Sequence, residues 1–220
     1  DASRLPSFDH NAIYIGPWDI MSQHFVERGG LPPGLTSFTK IRLGWISAEQ
    51  VRFVKPGETA VAFLSPLSAG GETLAVKIPL SWGKYYLVEN RQPVGFDRAL
   101  PDSGILILKV NPAAPEGYGT VKVMDANPRS AHFSQATFRL DGDGSSLFKD
   151  GEVAVIPLWK DGDRLGVLVT TPERSAEALE AARALDTLMR RAGPRDRLVV
   201  EAKAAFMAFD FKRCIGIAGR

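Results

Sequence analysis

Lys84-Tyr85-Tyr86-Leu87-Val88-Glu89 reads as a β-strand, short, aromatic and β-branched, with charged residues at both ends. Side chains alternate along a strand, so Tyr86 and Val88 share one face. Similar runs flank it: Val51–Val54, Thr59–Leu64 and Thr73–Ile78 before it, then Ile105–Val110, Thr120–Asp125, Ala136–Leu140, Glu152–Trp159 and Leu165–Thr170. Turn signals such as Pro56-Gly57, Gly70-Gly71, Asp141-Gly142-Asp143-Gly144 and Asp161-Gly162-Asp163 separate these runs. Many short strands at roughly even spacing predict an antiparallel β-sandwich over residues 46–171, with Tyr86, Val88, Ile105, Ile107 and Val121 buried. Gly162, between Lys160 and Arg164, suits a hairpin joining the last two strands.

Outward from the sandwich the period changes. Residues 172–192 carry Leu179, Ala182, Leu185, Leu188 and Met189 on one helical face. Thr171 is expected to cap this helix and Pro172 to occupy its first position. Arg190-Arg191 suit its C-terminal dipole, and Gly193-Pro194 stops it. Residues 198–220 fix no period, but Phe206, Phe209 and Phe211 require packing on the sandwich or on another chain. On the N-terminal side, residues 36–45 suit a short helix capped by Thr36 or Ser37. Residues 1–35 are broken by Pro6, Gly16-Pro17, Gly29-Gly30 and Pro32-Pro33-Gly34. The fold class is therefore mainly β with some α, in three parts: 1–45, 46–171 and a helical extension at 172–220.

At 45% apolar and 24% charged, the 220 residues have the balance of a globular protein with its own core. No apolar run reaches the length of a membrane span. A net charge of +2 with interspersed signs gives no electrostatic case for nucleic acid or for an anionic membrane. Cys214 is the single cysteine, which rules out an internal disulfide. A start at Asp1 is what a mature, cleaved or trimmed product would show. Phosphate-binding loops, dinucleotide fingerprints and G-x-S-x-G elbows do not occur.

One stretch in the irregular N-terminal part carries a motif. In Tyr14-Ile15-Gly16-Pro17-Trp18-Asp19-Ile20-Met21-Ser22, Gly16-Pro17 can bend the chain, Trp18 and Ile20 can bury beside the bend, and Asp19 can hold the turn through backbone N–H groups. An unbranched Met fills irregular space without competing for a metal. Further matches follow in order: Lys40-Ile41-Arg42-Leu43-Gly44-Trp45-Ile46, Ile78-Pro79-Leu80, Tyr85-Tyr86-Leu87-Val88-Glu89-Asn90-Arg91-Gln92, Gly95-Phe96-Asp97, Leu100-Pro101 and Gly104-Ile105-Leu106-Ile107. Together they resemble secreted zinc metallopeptidases of the immune inhibitor A type, a metzincin-like family with a methionine-turn beneath the zinc.

The resemblance implies a zincin catalytic domain ending near residue 45, then a β-rich region, in a secreted or cell-surface protein. It implies zinc as cofactor, a peptide or protein substrate, and an active-site floor made by Met21, Trp18 and Asp19. Yet no H-E-x-x-H occurs, and the histidines are His10, His24 and His132 alone. The zinc ligands and the general base are then expected on a catalytic half outside this sequence, covalently joined or a separate chain. Where family members read Leu-Pro-Asp, this chain has Leu5-Pro6-Ser7, so Asp9 or His10 is the candidate third ligand. His24 is a candidate oxyanion donor or an exposed loop histidine. Asp141 and Asp143 have the alternate spacing of a calcium loop but lack its bidentate Glu, so a plain turn is the competing reading. Glu89, Asp97 and Asp102 suit calcium or, preferably, salt bridges to Arg91 and Arg98. Trp18 and Met21 are expected to bury against another polypeptide. A non-catalytic β-sandwich module that binds a protein or glycan is the alternative.

Overall fold

In the computed structural model, which describes residues 14–22, 31–115, 117–141 and 146–220, the apolar runs pair into two sheets. The strands are β1 (Val51–Phe53), β2 (Ala60–Leu64), β3 (Ala75–Pro79), β4 (Tyr85–Arg91), β5 (Gly104–Val110), β6 (Val121–Met124), β7 (Phe148–Asp150), β8 (Val153–Asp161) and β9 (Arg164–Thr170). One sheet has the order β1-β3-β4-β5-β6 and the other β2-β9-β8-β7. Every pairing is antiparallel except that of β1 with β3.

Period-two alternation explains the layering. Tyr86 and Val88 of β4, Ile105 and Ile107 of β5, and Val167 and Val169 of β9 face inward and pack between the sheets. The other faces of both sheets are also covered. Leu87, Leu106, Leu108 and Val110 turn outward beneath Trp18 and beside helix α1 (Ser37–Arg42). This coverage is why β5, Gly-Ile-Leu-Ile-Leu-Lys-Val, is apolar at nearly every position instead of alternating. On the second sheet, Ile156, Leu158, Trp159 and Leu168 pack against helices α2 (Ser175–Ala192), α3 (Arg197–Met207) and α4 (Phe211–Ala218). Ala178, Ala181 and Ala182 keep α2 close to the sheet, and Phe206 meets Trp159 edge-on at 5.2 Å.

All five residues expected in the core are buried: Tyr86, Val88, Ile105, Ile107 and Val121. Val121, however, faces the outer layer with Trp18 and not the space between the sheets. Thr36 caps α1, its hydroxyl accepting from the Thr39 N–H. The β8–β9 hairpin turns through Gly162 at φ 66°, a conformation glycine adopts without strain.

Some local expectations differ. Ala136–Leu140 is no strand; Phe138 makes a single bridge to Ile105. β7 escapes the sequence because three residues carry too little pattern. α2 begins at Ser175, since Thr171 and Pro172 form a turn in which their carbonyls accept from the N–H groups of Arg174 and Ser175. Residues 198–220 form α3 and α4, capped by the Asp196 and Asp210 side chains. Their aromatic residues pack on this chain's own sheet. None of the helices in the described residues is long and apolar enough to cross a membrane.

Candidate functional site

The outer face of β4 runs Leu87, Glu89, Arg91, because side chains two apart share a face. Glu89 and Arg91 thus project under the N-terminal segment, where neither meets solvent. Burying a guanidinium requires partners for its donors. Arg91 makes a two-pronged pair with Asp97, Nε to Oδ2 at 2.9 Å and Nη2 to Oδ1 at 2.8 Å. Its Nη1 donates to Glu89 Oε1 at 3.0 Å and to the Trp18 carbonyl at 2.8 Å. The salt bridges expected of Glu89 and Asp97 therefore form with Arg91, and Asp102 pairs instead with Arg139 at 2.6 Å.

The remaining carboxylate oxygens are used by backbone. The Gly34 N–H donates to Asp97 Oδ1 at 3.1 Å, and the Ser37 N–H to Glu89 Oε2 at 2.8 Å. Asp19 completes the cluster: Oδ2 accepts from the Thr36 N–H, the Thr36 hydroxyl and the Thr39 hydroxyl at 2.9, 2.6 and 2.7 Å. Its Oδ1 accepts from the Met21 N–H at 2.9 Å, and the Ser22 N–H closes a turn on the Asp19 carbonyl. Asp19, Glu89, Arg91 and Asp97 are all essentially inaccessible to water.

Charge balance follows from these contacts. Burial opposes the Arg91 cation, but Glu89 and Asp97 outweigh it and hold the guanidinium pKa above its ordinary value. With Asp97 matching that cation pairwise and Asp19 a further buried carboxyl, Glu89 adds negative charge in excess. Burial pushes its pKa upward, against the pull of Arg91 and Ser37. Lys40, whose Nζ donates to the Leu67 carbonyl, is shifted down, chiefly by burial.

This network fixes the methionine-bearing turn. Gly16 has φ 61°, and a Cβ there would come within 2.8 Å of the His132 carbonyl, so a side chain is excluded by both conformation and space. Trp18 buries completely against the outer face of the first sheet. Its Nε1 donates to the Phe133 carbonyl at 2.8 Å, and the Arg91 guanidinium lies 5.7 Å from its ring. Met21, held by the anchored Asp19, is 73% exposed. Ile20, Leu31, Val94 and Phe96, which sit on segments tied to the same cluster, are exposed as well.

The structure thus joins Trp18, Asp19 and Met21 in one turn but divides their fates. Trp18 does not wait for another polypeptide, because the sheet beneath it already supplies the apolar surface. Of the two side chains expected to bury against another polypeptide, Trp18 is buried by this chain and Met21 is exposed. Thr39 and Gly34 as partners of the cluster escaped the sequence; the available signal was Glu89 and Arg91, two apart on one strand face at the end of an apolar run.

Asp9, His10, His24 and Asp143 lie outside the described residues. Asp141 lies within them, ion-paired to Arg190 at 2.7 Å, and that hydrogen bond holds its carboxyl below the usual range. Among the described residues, no three His, Cys, Asp or Glu side chains converge as a metal site. Cys214 is buried, and burial pushes its thiol up to about 11, the opposite of a nucleophile's environment. No protein-family model, curated protein or solved structure matches the chain.

Proposed function

We propose that this chain is the C-terminal portion of a zinc-dependent endopeptidase, in which Met21 forms the floor beneath a metal held by another segment or chain. The observation that carries the reading is the pairing of a rigidly held turn with an unburied apolar side chain. Four buried charged residues and several backbone N–H groups fix the backbone around Asp19, yet Met21 is 73% exposed. That combination suits a side chain placed for a partner. The described residues supply no ligand set, so the metal chemistry of this reading belongs to the segment bearing H-E-x-x-H. The chain's own part is to position Met21, to wall the cleft, and to brace both through its sandwich.

The burial of Trp18 on this chain's own sheet favours a second reading, a free-standing β-sandwich module that binds a protein or glycan. Met21→Glu separates the two. In the peptidase, this change leaves the fold intact and abolishes peptide hydrolysis by the complete protein. In a free-standing module there is no hydrolysis to lose.

A further inference from the structure

At one end of β8 the ladder slips: Pro157 pairs with Val167 and Lys160 with Leu165, so Leu158 and Trp159 stand opposite Gly166 alone. This is a β-bulge, a device that re-aims side chains and often borders binding sites. It is built in by sequence. A Cβ on Gly166 would meet Leu158 Cβ and Phe63 Cε1 at 2.9 Å each, so only glycine fits opposite the bulge. The slip turns both Leu158 and Trp159 toward the helical layer, where strict alternation would have sent one of them to the other face.

A cleft of about 650 Å³ opens at this bulge, a volume that suits a small organic ligand. Leu158, Trp159, Leu165 and Met189 give it an apolar lining. Three cations border it, but two are spoken for: Arg190 is held by Asp141 and Asp186, and Arg139 by Asp102. Lys160 is exposed and has no acidic partner among the described residues. Trp159 is 5% exposed, and its indole N–H is buried with no acceptor. None of the residues around Arg91 that hold the Met21 turn lines this cleft.

We propose that the cleft binds a small amphipathic carboxylate. Its hydrocarbon lies on Leu158, Leu165 and Met189, and its carboxylate is met by Lys160. Apolar lining and one free cation select against both a neutral alcohol and an amine. The site is independent of the peptidase reading.

Calorimetric titration of the full chain with octanoate, 1-octanol and octylamine tests this. Octanoate should bind one-to-one with a dissociation constant below about 1 mM, and the alcohol and amine at least about tenfold more weakly. Lys160→Gln, at an exposed position, should weaken octanoate about tenfold without moving the urea midpoint. Absence of saturable octanoate binding overturns the proposal. So does octanol or octylamine binding as tightly as octanoate, or a Lys160→Gln variant with wild-type affinity.

Discussion

Replacing Arg91 with Met should be among the most damaging changes available in this chain. The substitution keeps an unbranched stem of similar reach but removes every donor. Asp97 loses a two-pronged pair, Glu89 and the Trp18 carbonyl lose one bond each, and both carboxylates stay fully buried. Breaking a buried ion pair from one side costs about 3–5 kcal/mol, because an uncompensated charge remains. Against a total stability of about 5–15 kcal/mol, this is a large fraction. With a urea slope of about 2 kcal/mol per M, the unfolding midpoint should fall by about 2 M. The matching variant Glu89→Gln/Arg91→Met/Asp97→Asn removes all three charges and should recover more than half of that loss, since neutral amides cost less to bury. Urea titrations followed by far-ultraviolet circular dichroism measure both. An Arg91→Met midpoint within about 0.3 M of wild type, or a triple variant weaker than the single one, would refute the reasoning.

Further outcomes are expected elsewhere. Glu89 has a raised folded-state pKa, so its contribution is fully present below the unfolded value and is lost as pH rises through the folded one. The stability advantage of wild type over Glu89→Gln should therefore shrink as pH rises from acid to neutral, read as the gap between urea midpoints. Trp82, 89% exposed at φ 62°, bears left-handed strain with no packing return, so Trp82→Gly should stabilise the chain by about 0.5–1 kcal/mol in the same titration. Cys214, inaccessible and with its thiol near 11, should resist a chromogenic disulfide reagent at pH 8 in the native state and react at once in urea.

What could be read from sequence follows the strength of the local pattern. β4, β5, β8 and β9 announce themselves because their apolar runs are long and their turns carry Gly, Pro or Asp. The capping role of Thr36 was legible for the same local reason. Non-local features were not. The parallel pairing of β1 with β3 depends on where a crossover returns, which no window of sequence records. Trp18 reads as an orphan aromatic in a Gly- and Pro-broken stretch, until the outer face of β5 turns out to need a cover. The Asp19 cluster joins residues up to 73 positions apart, which no local window of sequence records. The bulge at Leu158–Trp159 is equally silent, since a strand with one extra residue looks apolar throughout.

The central claim, that Met21 is the floor of a metal site completed by another segment, is tested most directly on the protein purified from its native source. Zinc content, intact mass under denaturing conditions and casein hydrolysis would be measured on the same preparation. The account predicts one zinc per copy of this chain, a polypeptide bearing H-E-x-x-H joined to it or co-purifying with it, and hydrolysis abolished by Met21→Glu. A preparation consisting of this chain alone, free of zinc and without hydrolysis, would contradict it.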